Sequence, residues 1–309
     1  MKICCVIVTY NRKQLLLECI EAIRCQSYKV DSTIIIDNNS SDGTKEFLIE
    51  NKVLNDKSIY YYKLDKNIGG AGGFYEGIKN SLENEYDWVW IMDDDTIPKN
   101  DSLENLILGI KNINEDKISF VASKIIGING EEMNLPSLSK RCDDSNYPIW
   151  MKYLDKSIIE VRAATFVSLL VNTNAIRSVG LPWKEFFIWG DDSEYTMRLT
   201  KYYGPAFAIG NSIVVHKRFG PSNLSIVEET NKDRINMYRY QFRNGLINSS
   251  EYFGKKITFR IIGGNIKTVF KVLRKSSYKY FKIKVIILGV TDFLFNRYNK
   301  KSFINRFDI

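Results

Sequence analysis

The chain has 309 residues, ample to bury a core, as one large domain or one domain with an appendage. Its net charge of +8 is unevenly spread: residues 1 to 250 carry 30 Lys/Arg against 33 Asp/Glu, and residues 251 to 309 carry 14 against 3. The basic excess therefore belongs to an aromatic-rich tail, which fits an anionic partner surface such as lipid headgroups or nucleic acid.

Cys4, Cys5, Cys19, Cys25 and Cys142 show no C-x-x-C spacing, which argues against a disulfide framework or a zinc site and for reduced thiols in a cytoplasmic protein. The apolar start is too short for a signal peptide, and no run reaches the ~18 apolar residues of a spanning helix.

Ile3 to Val8 is a continuous β-branched and Cys run, the pattern of a strand covered on both faces. It ends in the polar turn Thr9-Tyr10-Asn11-Arg12, after which Leu15, Leu16, Cys19, Ile20 and Ile23 recur at helical spacing. Ser32 to Ile36 is a second strand, ending in Asp37-Asn38-Asn39-Ser40-Ser41-Asp42-Gly43-Thr44, whose short polar side chains suit a turn and helix cap. Ile59 to Leu64 is a third, followed by Asn67-Ile68-Gly69-Gly70-Ala71-Gly72-Gly73-Phe74 and a helix through Leu82. The fourth, Trp88 to Met92, ends in Asp93-Asp94-Asp95. Strands alternating with helices imply a parallel sheet whose ligands gather at the carboxyl ends of the strands, where each polar cluster falls.

From Gly127 to Lys156 the pattern weakens to a long loop or small insertion. Ile158 to Val171 is strand-like, and Asn174 to Val179 reads as a short helix. A second apolar run, Phe186 to Trp189, stops at Gly190 and the carboxylates Asp191, Asp192 and Glu194, with a helix from Asp191 onwards. Ala206 to Val215 is another strand, ending at His216, the single histidine. Residues 257 to 273 and 278 to 296 read as amphipathic helices in which Ile, Val and Phe alternate with Lys and Arg.

Three adjacent carboxylates repel one another unless a cation is present. Asp93 and Asp95 lie on one side of an extended turn and can both reach a hard cation, while Asp94 points elsewhere, toward substrate; a solvated acidic turn is the alternative. His216 reads either as a structural hydrogen-bonding residue or as a third ligand, which with two carboxylates would suit Mn²⁺ and tolerate Mg²⁺. Gly69, Gly70, Gly72 and Gly73 do not fit a dinucleotide fingerprint or a P-loop, but let backbone N–H groups approach a bulky or anionic ligand at a helix start. Asp191 and Asp192 are either a charge cluster favoured by the helix dipole or a pair whose mutual repulsion leaves one able to take a proton from a hydroxyl.

In this order the motifs resemble a family 2 glycosyltransferase with the GT-A fold over residues 3 to about 245: Thr9-Tyr10-Asn11-Arg12, Asp37-Asn38-x-Ser40-x-Asp42-Gly43-Thr44, Asn67-x-Gly69-Gly70-Ala71-Gly72-Gly73-Phe74, Asp93-Asp94-Asp95, Trp189-Gly190-Asp191-Asp192-x-Glu194-Tyr195 and His216. The glycine loop, the Trp-x-Asp-Asp-x-Glu segment and the later His are most similar to bacterial galactofuranosyltransferases, with rhamnosyltransferases next. Tyr240-x-x-Arg243-Asn244 also resembles a segment common in that group.

The resemblance implies an α/β fold of GT-A type, a Rossmann-like mostly parallel sheet flanked by helices, over residues 1–227; residues after about 250 fall outside it, and the composition and helical spacing of 228–309 are those of a helical, basic, membrane-surface region. Thr9, Asn11, Arg12 and Asp37 would hold the nucleotide, Asn67 and the Gly69 to Gly73 loop would border the diphosphate and sugar, and Asp94 would lie at the donor. Asp93, Asp95 and His216 would bind Mn²⁺ or Mg²⁺. Asp192 would be the general base, with Asp191, Trp189 and Glu194 placing the acceptor. The expected activity is inverting transfer of galactofuranose from UDP-galactofuranose to a lipid-linked glycan at the inner face of the cell membrane, with dTDP-rhamnose as the rival donor. A nucleic-acid arm is disfavoured because the tail has no recognised binding module. A sugar-nucleotide-binding or membrane-surface protein that keeps the fold without activity is the alternative from another class; the complete set of carboxylates and the His argue against it.

Overall fold

The computed structural model describes residues 1–218 and 225–297. Ten strands form one twisted sheet: β1 (Ile3–Thr9), β2 (Ser32–Asp37), β3 (Ile59–Lys63), β4 (Trp88–Asp93), β5 (Thr96–Pro98), β6 (Phe120–Ile126), β7 (Ser137–Leu138), β8 (Ile158–Ala163), β9 (Leu169–Asn172) and β10 (Ala206–His216). The order is β3-β2-β1-β4-β9-β6-β10-β8-β7, with β5 paired to the far end of β10. β1 to β4, β6 and β10 run one way, while β9 between β4 and β6, and β8 and β5 on β10, run against them.

Alternation along the central strands feeds two cores. Cys5, Ile7, Trp88, Trp90 and Met92 face α1 (Lys13–Arg24) and α4 (Ser102–Asn112), meeting Leu16, Ile20, Leu103 and Leu106. Cys4, Val6, Val8, Val89 and Ile91 face α3 (Gly69–Ser81), α5 (Thr173–Val179) and α6 (Asp191–Tyr202) through Phe74, Ile78, Ile176 and Tyr195. Burial on both faces explains why β1 and β4 read as unbroken apolar runs. The short α2 (Thr44–Glu50) follows β2 and buries Leu48.

Two regions differ from the expectation. Residues 96 to 126 carry no assigned element in the sequence, yet β5, α4 and β6 lie there, and α4 buries Leu103, Leu106 and Ile107. The strand-like stretch from Ile158 to Val171 is two strands, β8 and β9, which pair with different neighbours. Apolar content alone does not mark where a run changes sheet position.

α7 (Lys232–Tyr252), α8 (Lys255–Lys275) and α9 (Lys279–Leu294) follow. α9 lies tightly on α7: a Cβ at Gly289 would stand 2.7 Å from the Arg239 carbonyl, and Arg239 pairs with the buried Asp292 through Nε and Nη2 at 2.5 and 2.9 Å. Ile235, Tyr238, Val272, Val285 and Ile286 form their own core. α8 is different: Phe259, Ile266, Phe270 and Leu273 stand exposed along it, amid Arg260, Lys267, Lys271 and Arg274. Among the described residues no helix is long and apolar enough to cross a membrane.

Candidate active site

The expected polar clusters converge at the carboxyl edge of the parallel strands, and register explains how His216 reaches them. β5 folds back from the β4 turn and pairs antiparallel with β10, placing His216 opposite Thr96, the residue after Asp95. The Lys217 N–H closes the junction on the Asp95 carbonyl at 2.8 Å. Potential ligand atoms of Asp93, Asp95 and His216 thereby lie within 4.8 Å of one another.

Hydrogen bonding within this triad fits a cation. His216 Nδ1 lies 3.0 Å from Asn134 Oδ1, an acceptor, so the ring proton belongs there and Nε2 presents a lone pair. That nitrogen faces Asp95 Oδ1 at 3.2 Å, and this oxygen is buried without a well-directed hydrogen bond. Two acceptors at this separation call for a proton or a metal ion between them.

Arg12 closes the other side, its Nη1 lying 2.7 Å from Asp95 Oδ2 and 3.2 Å from Asp94 Oδ1, while Thr9 Oγ1 donates to Asp94 Oδ2 at 2.8 Å. Burial raises Asp93 well above the usual carboxylate range, and the charges of Asp95 and Asp94 push the same way. Asp94 is raised to about 6 by burial, partly offset by Arg12. Without a metal, burial acts to raise Asp95, but His216 when protonated, by hydrogen bond and charge, and then Arg12 outweigh it and hold it below its ordinary value. Asp94 therefore points back at Thr9 and Arg12, and its contact is with the residues expected to hold a nucleotide.

On the neighbouring loops, Asp37 is fully buried and accepts from the Ser40 N–H at 2.7 Å and from the Tyr61 hydroxyl. Asn11, at φ +53°, accepts the Ser41 N–H at 2.8 Å. Asn38, missed in the sequence as a site residue, ties this edge to the glycine loop: its amide donates to the Gly69 carbonyl at 2.7 Å and accepts the Ile68 N–H at 2.9 Å. Asn67 accepts the Gly69 N–H at 2.8 Å.

The glycines have a packing reason that their spacing does not show. A Cβ on Gly72 would lie 2.6 Å from the Ile68 side chain, one on Gly73 2.5 Å from Val8, and one on Gly69 would overlap the Phe187 carbonyl. Only Gly70 faces open space. Close packing accounts for three of the four: Gly73 against β1, Gly72 against the Ile68 side chain before the helix, and Gly69 against the Phe187 turn.

Asp191 and Asp192 open α6 behind the cap Gly190, at φ +89°. Burial, then the charge of Asp192, pushes Asp191 up to about 8. Asp192 is also raised by burial, opposed by the Ser193 N–H on its Oδ1 at 2.6 Å. The Asp191 charge contributes to the raising of Asp93, so this pair and the triad share one electrostatic environment. Trp189 is partly buried, its ring 5.1 Å from that of Tyr238.

Glu194 departs from the acceptor-side expectation. Its side chain is 1% exposed, and its oxygens accept from Arg198 Nε and Nη2 at 3.1 and 2.9 Å and from the Tyr252 hydroxyl at 2.9 Å. At helix position i, i+4 from Arg198 it anchors α6 to the core and to α7. Asn134, Asn244 and Asn248 also escaped the sequence as site residues; Asn134 lies in the weakly patterned 127–156 loop, where nothing signals it.

The profile of glycosyl transferase family 2 matches residues 4–172. Galactofuranosyltransferase GlfT1 of Mycolicibacterium smegmatis is 23% identical over 209 residues, 64% of this chain and 65% of that protein, so the aligned region spans under two thirds of the relative. In solved structures the fold matches Staphylococcus aureus TarS 1-349 with a TM-score of 0.55 at 14% identity, covering 98% of this chain and 74% of that one. It also matches the Pyrobaculum calidifontis mannosyltransferase PcManGT, in complex with GDP-Man and Mn²⁺, with a TM-score of 0.55 at 14% identity, covering 96% and 88%. With the GT-A architecture and the acidic triad in place, the chain belongs to glycosyl transferase family 2.

Proposed function

We propose that this protein is an inverting, metal-dependent hexosyltransferase that moves galactofuranose from UDP-galactofuranose to a hydroxyl of a lipid-linked glycan. The observation that carries this reading is the convergence of Asp93, Asp95 and His216, whose ligand atoms lie within 4.8 Å of one another at the carboxyl edge of the sheet. The likeness to GlfT1 supports the donor sugar.

Asp93, Asp95 and His216 would hold Mn²⁺ or Mg²⁺, which when bound neutralises charge developing on a diphosphate leaving group. Thr9, Asn11, Arg12 and Asp37 border the nucleotide, and Asp94 sets the Arg12 guanidinium beside it. Asn67 and Gly70 would line the diphosphate and sugar at the start of α3, where the positive end of the helix dipole favours an anion. Asp192 accepts the proton of the acceptor hydroxyl as that oxygen bonds to the anomeric carbon and the bond to diphosphate breaks. No enzyme nucleophile takes part, so configuration inverts. Trp189 flanks the acceptor, and burial, then the charge of Asp192, pushes the Asp191 carboxyl up beside the base in the metal-free protein.

The 228–309 region is the membrane-facing part. The exposed apolar residues of α8, set among Lys and Arg, suit an anionic bilayer at the cytoplasmic face, each basic residue adding about 1 kcal/mol near such a surface.

Incubation with Mn²⁺, sugar nucleotides and a synthetic lipid-linked acceptor should give transfer from UDP-galactofuranose, lost with EDTA and restored by Mn²⁺. Absence of both transfer and donor hydrolysis with every sugar nucleotide would refute the reading, and preference for dTDP-rhamnose would move the donor. Unchanged turnover in Asp192→Asn would remove the base assignment.

A further inference from the structure

We propose that Asn244, assisted by Arg243 and Asn248, is a positioning residue for the transfer reaction. From α7 these side chains clamp the turn that carries Asp191 and Asp192, and so set where the base stands. The inference rests on the base assignment above and adds what holds that base in place.

The turn is strained. Phe187 has φ +63° with ψ −61°, Trp189 has φ +61° and Gly190 φ +89°. Left-handed backbone is costly for bulky side chains and persists only where the surroundings over-determine it.

The surroundings here are the side chains of α7. Asn244 is fully buried, and the two hydrogens of its Nδ2 serve three carbonyls, those of Trp189 at 2.8 Å, Phe186 at 2.9 Å and Ile188 at 3.1 Å, one hydrogen being shared. The amide orientation is fixed by chemistry: Oδ1 accepts from Arg243 Nε at 2.9 Å, and a guanidinium can only donate. Arg243 Nη2 takes the Glu185 carbonyl at 2.6 Å, and Asn248 Nδ2 takes the Gly190 carbonyl at 2.8 Å.

One carbonyl of the turn is left, that of Phe187. It accepts the Ala71 N–H at 3.1 Å and occupies the space a Cβ on Gly69 would need. Every carbonyl from 185 to 190 is thus bound, five by α7 side chains and one by the glycine loop of α3. The turn therefore ties the donor-side helix start to the helix bearing the acceptor base, and α7 belongs to the catalytic unit as much as to the C-terminal helices. Without the Asn244 amide, the strained turn can relax and carry Asp192 with it.

The test is Asn244→Ala in the full chain, with two readouts. Turnover of UDP-galactofuranose with Mn²⁺ should fall by roughly 100-fold, the loss expected for a misplacement of about 1 Å. The Kd of UDP with Mn²⁺ should stay within about threefold, since the donor contacts lie on other loops. Amide exchange of residues 187 to 190 should rise by at least about tenfold while β1 and β4 keep their protection. Turnover near wild type overturns the proposal, and so does exchange rising across the whole chain together with loss of UDP binding, the mark of a merely structural residue. If Asn244→Ala does not fold, Asn248→Ala carries the test, with a fall in turnover of about tenfold expected and wild-type turnover and exchange overturning the proposal. If the wild type turns over no sugar nucleotide, the functional reading has failed, and local exchange in the variant still decides whether the clamp exists.

Discussion

Replacing Arg198 with Met should cost about 3–5 kcal/mol of stability, the range found when one member of a buried ion pair is removed. The side chains of Arg198 and Glu194 are 2% and 1% exposed. Methionine restores much of the lost volume, so the loss is chiefly polar. It leaves the Glu194 carboxylate buried with the Tyr252 hydroxyl as its remaining side-chain partner at 2.9 Å. It also strips a donor from the carbonyls of Val179 at 2.7 Å and Leu181 at 3.0 Å, which join the end of α5 to the loop before α6. Urea unfolding at neutral pH, followed by tryptophan fluorescence, measures the change. In the double variant Glu194→Met, Arg198→Met no lone charge stays buried, so stability should recover to within about 2 kcal/mol of wild type. A single-variant loss below about 1 kcal/mol would refute the reasoning. So would a Glu194→Gln variant that keeps full stability but loses acceptor affinity, because Glu194 would then face the acceptor.

Asp191→Asn should match wild type near pH 4 and exceed it in stability at pH 8 to 9, by on the order of a few kcal/mol, in metal-free protein. Folding raises this carboxyl to about 8, first through burial and then through Asp192, whereas the unfolded value is about 3.9. Between those values the folded state holds a proton the unfolded state has released, so stability declines as pH rises through the window, and the amide removes that decline. A difference independent of pH would contradict it. Gly69→Ala should destabilise by about 1–3 kcal/mol, because its φ of +78° and the Phe187 carbonyl leave no room for a Cβ. Gly70→Ala, facing open space, should melt like wild type and show its effect in UDP-sugar binding; equal melting of the two variants would refute the packing account.

Much of the β1-to-β4 half of the sheet is legible because its signals are local. A strand buried on both faces is apolar throughout, so β1 and β4 announced themselves and their polar ends marked the active edge. The α6 start was legible for a similar reason, since carboxylates after a glycine suit a helix N-terminus. α4 has an apolar face of Leu103, Leu106 and Ile107 but no polar cluster to mark it, β6 follows it, and the break between β8 and β9 leaves no local mark.

The amino-acid sequence by itself determined the alternating strand and helix order, the acidic cluster closing β4, the glycine run and the basic character of the C-terminal helices, all of which follow from composition and period over a few residues. Tertiary structure decided which of those groups are free for chemistry. Pairing of β5 with β10 brings His216 to Asp95 across more than a hundred residues of sequence. Arg198 holds the Glu194 carboxylate in a buried ion pair, and Phe187 claims the space beside Gly69. Asn244 reaches back from α7 to a turn 55 residues earlier. A side chain carries no record of its partner at such separations: its chemistry limits what it can bond, and only the packing of distant elements chooses among those bonds.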